Sequence, residues 1–106
     1  MNEVEKLNKY NELLDFYEVL LTDKQRLIMH YYYFDDLSLN EIAELQKTSR
    51  TAVYDMIKRC NKILDDYESK LHLVKSFEKR KILYKSLLDL NIKEINDIIE
   101  KCIETE

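Results

Sequence analysis

The sequence has 106 residues and contains no glycine and no proline. A chain of this length with ordinary usage carries roughly a dozen of the two together. Strand hairpins, tight turns and phosphate-cradling loops depend on them. Their absence therefore predicts an all-helical protein and excludes a P-loop or a glycine-rich dinucleotide motif. An excess of Lys, Asn and Ile, the mark of an AT-rich genome, adds to the same depletion. Cysteine is scarce too: Cys60 and Cys102 lie far apart in the chain, form no Cys-x-x-Cys pair and sit near neither His30 nor His72. That spacing supports no disulfide framework, no metal site and no cofactor, and both read as small apolar residues in helices. No apolar run approaches the ~18 residues of a membrane span, and "MNEVEKLNKY" has no signal-peptide character. The expectation is a soluble, cytoplasmic protein without membrane insertion.

What is present is charge and apolar periodicity. Charged residues make up 36% and apolar ones 45%, enough for a core inside helices with solvated outer faces. The net charge of −4 is unusual for a free-standing nucleic-acid binder. It is unevenly spread, with 2 basic against 5 acidic groups in residues 1–21, 7 against 8 in 22–67, and 8 against 8 in 68–106. Between Ser49 and Leu64, Arg50, Lys58, Arg59 and Lys62 face only Asp55.

Along the chain, Val4, Leu7, Tyr10, Leu14, Tyr17 and Leu21 predict an amphipathic first helix that stops near Leu21. Thr22 with Gln25 forms a capping box for a second helix reaching about Phe34, whose inner face would be Leu27, Ile28, Tyr31 and Phe34. Tyr32 falls at its edge, and Met29 and Tyr33 point elsewhere, Tyr33 toward the first helix or a partner chain. Ser38 with Glu41 caps a short third helix to about Gln46, with Leu39, Ile42, Ala43 and Leu45 inward. Thr48 or Ser49 caps a fourth. There Val53, Ile57, Cys60, Leu64, Tyr67, Leu71 and Val74 form a heptad-like stripe about 30 Å long at ~1.5 Å per residue. Leu73, Phe77, Tyr84, Leu87 and Leu88 predict a continuation or a bent fifth helix to about Leu90. Asn91 with Glu94 reads as another capping box, and Ile92, Ile95, Ile99 and Cys102 line a last helix.

Two short helices joined by about three residues, the second opening on small polar and basic residues, make a helix-turn-helix. The first helix braces the second across an apolar angle, here filled by Leu39, Ile42, Ala43, Leu45, Val53 and Ile57. The second lays its N-terminal turns along a major groove. Ser49, Arg50, Thr51, Tyr54 and Lys58 would face outward as the nucleic-acid-binding set. The run "HYYYF" reads as core or interface, with Tyr31 and Phe34 buried, because Asp35 and Asp36 follow it and would repel phosphate. His30 and His72 have no placed catalytic partner and no nucleophile motif occurs, so neither an enzyme nor a small-molecule substrate is expected.

The segment "LTDKQRLIMHYYYFDDLSLNEIAELQKTSRTAVYDMIKR" resembles region 4 of bacterial sigma factors. More closely, "YYYFDDLSLNEIAE", "SRTAVYDMIKR" and "YESKLHLVKSF" together resemble the YlxM family of small bacterial helix-turn-helix proteins, over about Leu13 to Phe77. The chain departs from that family at Lys47, where glycine is common and a left-handed backbone would be strained, and at Thr48, where an aliphatic residue is usual and fills the core at the turn. The resemblance implies a sigma-like DNA-binding fold, a homodimer, and regulation of the protein-targeting pathway of the signal recognition particle, beside whose genes the family's genes sit.

The resulting expectation is an all-α protein of five to six helices, a single helical domain over 1–106. Residues 22–67 form the helix-turn-helix core with its long recognition helix, and 68–106 form a helical extension used in dimerisation together with the Tyr67-to-Val74 half of the stripe. Its function would be non-enzymatic, DNA-binding regulation linked to the signal recognition particle. A reading from another class is a protein-interaction adaptor that binds the signal recognition particle GTPase or its RNA and has no DNA site. The acidic net charge and Asp55 favour the adaptor; the Ser-Arg opening of the fourth helix favours the regulator.

Overall fold

In the computed structural model, which describes residues 2–106, four of the six α-helices start at a side-chain cap that the sequence supplies. The first helix, α1 (Glu3–Tyr17), opens at Asn2, whose Oδ1 accepts the Glu5 N–H at 2.8 Å. Thr22 and Gln25 exchange backbone and side-chain bonds of 2.9 and 3.2 Å ahead of α2 (Asp23–Tyr33). Ser38 and Glu41 do the same at 3.1 Å ahead of α3 (Leu39–Gln46). Ser49, rather than Thr48, caps α4 (Arg50–Leu71), its Oγ accepting the Ala52 N–H at 3.0 Å. Each such cap satisfies amide groups that the helix itself leaves free. Two further helices follow, α5 (Leu73–Leu88) and α6 (Lys93–Glu104). The fold is all-α, as the missing glycine and proline predict.

The chain forms two compact units, Met1–His72 and Leu73–Glu106. In the first, α1, α2 and α3 each pack on α4. Tyr17, Leu14, Ile28, Met29, Ile42, Val53, Cys60 and Leu64 are almost wholly removed from solvent. The stripe Val53, Ile57, Cys60 and Leu64 is the buried face of α4, as its spacing predicts.

Several expectations are corrected. The first helix ends at Tyr17, and Glu18–Leu20 tighten into a 3-10 turn, held by Glu18 Oε2 lying 2.6 Å from His30 Nε2 on α2. Val4 is 69% exposed, because it falls on the side of α1 away from Tyr10, Leu13, Leu14 and Tyr17, whereas Leu13 joins the core. On α2 the buried residues are Ile28, Met29 and Tyr33, while Leu27 and Phe34 are each 42% exposed and Tyr31 is half-buried. The helix is rotated from the expected phase so that Tyr33 meets α1, its ring 5.5 Å from that of Tyr10, and Phe34 falls past the last turn onto the edge of His30. On α3, Ile42 and Ala43 are buried but Leu45 is 55% exposed and Leu39 half-buried, since the face set by Ile42 and Ala43 turns Leu45 to the side. Thr48 is exposed, so the turn has no core position there to fill.

The stripe does not run on to Val74. His72 adopts φ 55°, ψ 32°, which ends α4, and Leu71 is exposed. The Asn91–Glu94 box is also absent. Asn91 has φ 53° and closes α5, and Ile92 stands at the start of α6 without a side-chain bond. In the second unit, α5 and α6 form a helical hairpin whose one well-buried side chain is Ile99. Arg80 binds both carboxylate oxygens of Glu106 at 2.8 Å, and the Tyr84 hydroxyl donates to the same group at 2.9 Å.

Without glycine, every left-handed turn is made by a side-chain-bearing residue: Asp36, Lys47, His72 and Asn91 all have φ between 53° and 55°. A Cβ in this region costs roughly 1 kcal/mol. Lys47 is the instructive one, because it sets the angle between α3 and α4 and its N–H bonds back to α3 carbonyls. Lys47→Gly is expected to raise unfolding stability in urea by about 0.5–1 kcal/mol, with Lys47→Ala near neutral. A glycine variant no more stable than the parent would show that the surroundings have relieved the strain.

Candidate nucleic-acid interface

The candidate interface begins with the angle between α3 and α4. Ser38 and Ser49 start the two helices, and Ile42, Ala43, Val53 and Ile57 fill the space between them. The buried stripe fixes which side of α4 is left outward. At ~100° per residue, Arg50, Tyr54, Lys58 and Thr51 fall within an arc of about 100° and a length of about 12 Å. All four, with Ser49, are exposed, Tyr54 by 51%. None of Arg50, Lys58, Arg59 or Lys62 is in an ion pair among the described residues, so their charges are available to an anion. Asp55 is exposed next to this arc, as its position in the sequence implies.

Further along the same side, toward the C-terminal end of α4, the helix is tied to α1 and α2 by a polar seam. Glu68 accepts from the Tyr17 hydroxyl at 2.6 Å. Asp65 accepts from the Tyr10 hydroxyl at 2.9 Å and pairs with Lys9 at 3.0 Å, and Asn61 accepts from the Tyr33 hydroxyl at 3.0 Å. Burial, the larger cause, and the carboxylate of Asp65 push the Tyr10 phenol upward. Tyr33 rises further, because its burial outweighs the opposing bond to Asn61. Where the seam reaches the N-terminal half of α4 it opens into a cleft of about 160 Å³ whose lining includes Tyr54 and Lys58 of the predicted set together with Lys6, Tyr32 and Leu39. Sequence reasoning missed these three. Lys6 is hidden from the sequence because Val4 and Leu7 read as the inner face of α1. Tyr32 reads as an edge position, which is the cleft's rim, and Leu39 as a core residue.

The described residues contain no group of His, Cys, Asp and Glu that could hold a metal ion. No helix among them is long and apolar enough to cross a membrane. Burial raises the Cys60 thiol to about 11, the reverse of what a nucleophile requires.

Comparison with known proteins gives a consistent result. Residues 4–104 match the family described as "Putative helix-turn-helix protein, YlxM / p13 like". The chain is 46% identical to a UPF0122 protein of Geobacillus sp. over 97% of its own length and 99% of the relative's. It is 48% identical to one of Oceanobacillus iheyensis, covering 92% and 94%. Against the UPF0122 protein YlxM of Bacillus subtilis it is 51% identical, covering 82% and 79%.

The seam makes stability sensitive to alkali. Tyr10 and Tyr33 have phenol pKa values raised in the fold, so their contribution is fully present below the ordinary tyrosine value of about 10 and is lost as pH climbs above it. The urea midpoint is expected to stay level from neutral pH to about 9 and fall beyond about 10, with Tyr33→Phe showing a shallower fall. An equally steep fall in the variant would remove Tyr33 as its origin.

Proposed function

The chain belongs to the UPF0122 family of YlxM / p13 like helix-turn-helix proteins, and from that membership we infer that it is a non-enzymatic regulator that binds DNA. Ser49, Arg50, Thr51, Tyr54 and Lys58 are the contacting residues. The observation that carries this reading is their common exposure on one arc of α4, beside the stripe that fixes the helix in place. Arg50 and Lys58 supply charge to phosphate or base edges, Thr51 and Tyr54 supply hydroxyls, and the Ser49 cap steadies the first turn. With so few cations each copy holds DNA weakly, and two copies double the contacts.

A homodimer built on α5 and α6 accounts for the second unit. A segment of this size holds no core of its own. Here Ile82, Leu83, Leu87, Leu90, Ile98 and Ile103 are all exposed, and a groove of about 390 Å³ runs between Phe77, Tyr84, Leu88 and Ile103. A second copy of the hairpin covers this surface. The same apolar surface, with the net charge of −4, favours a second reading, an adaptor that binds the signal recognition particle GTPase or its RNA without a DNA site. The family resemblance connects both readings to that targeting pathway.

Salt separates the two. DNA binding by the parent protein is expected to weaken steeply as salt rises, and Arg50→Ala and Lys58→Ala are each expected to reduce the slope of log K against log salt by about one unit. Binding that persists at high salt belongs to an apolar protein contact and supports the adaptor. An unchanged low-salt titration for both variants would remove them from the interface. Light scattering at micromolar concentration is expected to give the mass of a dimer, and a monomer mass would remove the hairpin contact.

A further inference from the structure

The polar seam has a regular register on α4: Lys58, Asn61, Asp65 and Glu68 lie three, four and three residues apart and share one flank. Three of the four meet a tyrosine hydroxyl from α1 or α2, namely Tyr33, Tyr10 and Tyr17. The fourth, Lys58, has no such mate and faces the cleft that it shares with Lys6. Lys6 itself stands where α1 would ordinarily carry an apolar residue. At ~100° per residue it falls in line with Tyr10, Leu13 and Tyr17, the buried stripe of that helix. Its side chain is thereby carried over the body and toward α4.

Neither lysine is in an ion pair among the described residues, and no carboxylate lines the cleft. Tyr32 and Tyr54 bring two more hydroxyls to it, neither of which bonds to another described residue. Two like charges held against one concavity with unspent donors form an arrangement complementary to an anion.

We propose that this cleft is a phosphate site in which Lys6 of α1 and Lys58 of α4 hold one backbone phosphate of the duplex whose groove α4 enters. It rests on the DNA-binding reading above and extends the contact surface to a helix outside the helix-turn-helix. Lys58 is the hinge between the two surfaces, since it belongs both to the outward arc and to the cleft. Tyr32 and Tyr54 donate to the phosphate oxygens that the lysines leave open.

The test is fluorescence anisotropy of the full-length chain with a labelled mixed-sequence DNA duplex over a series of salt concentrations. Lys6→Ala is expected to lower the salt slope by about one unit, Lys6→Arg to keep it, and Lys24→Ala, at the far end of α2 from Tyr32, to leave it unchanged. Lys6 is exposed, and circular dichroism of each variant checks the fold. A parent that binds while Lys6→Ala keeps the parental slope overturns the phosphate site and leaves the DNA-binding reading intact. A slope lowered as much by Lys24→Ala also overturns it, because the effect is then net charge alone. A parent that binds no duplex at any salt overturns both.

Discussion

The first unit is organised by one apolar contact: the face Val53, Ile57, Cys60 and Leu64 of α4 against α1, α2 and α3. These side chains are spaced so that they stack along a single side of a helix, and burying each fully contributes on the order of 1.5–3 kcal/mol. Once that face is committed, the rotation of α4 about its axis is no longer free. Arg50, Thr51, Tyr54 and Lys58 must then point outward, and Asn61, Asp65 and Glu68 must meet the tyrosines of the neighbouring helices. The exposed arc is thus a by-product of the core, fixed by the packing beneath it, and the proposed interface inherits that geometry.

The seam adds direction to this non-directional packing. Tyr10, Tyr17 and Tyr33 are buried by their rings, yet each places its hydroxyl on a polar group of α4. Apolar burial alone would tolerate a small rotation or slide of α4; these hydrogen bonds specify one register. These tyrosines therefore serve assembly of the body, while Tyr32 and Tyr54 bring their hydroxyls to the cleft beside Lys6 and Lys58.

Much of this was legible in the residues. The helix starts at Thr22, Ser38 and Ser49 were readable because capping is local chemistry that needs no tertiary partner. The inner face of α4 was readable because its period holds for several turns. What failed was short or shared. The second helix has apolar residues on nearly every side in "LIMHYYYF", so periodicity alone could not choose its phase, and the choice fell to Tyr33 finding both Tyr10 and Asn61. Leu45 looks internal from sequence but lies to the side of the face that Ile42 and Ala43 turn toward α4. The stripe seemed to pass through His72 because side-chain type does not reveal a left-handed residue when no glycine marks it. The place of Lys6 beside Lys58 was invisible for a related reason: it depends on where α1 crosses α4, which the order of residues does not state.

The most direct test maps the contact residue by residue. In a titration of DNA duplex into isotopically labelled protein, docking on the outward flank of α4 predicts that amide shifts move together at Ser49–Lys58 and at Lys6, while amides around the Ile42 and Leu64 core stay in place. Shifts confined to α5 and α6, with the first turns of α4 silent, would contradict it.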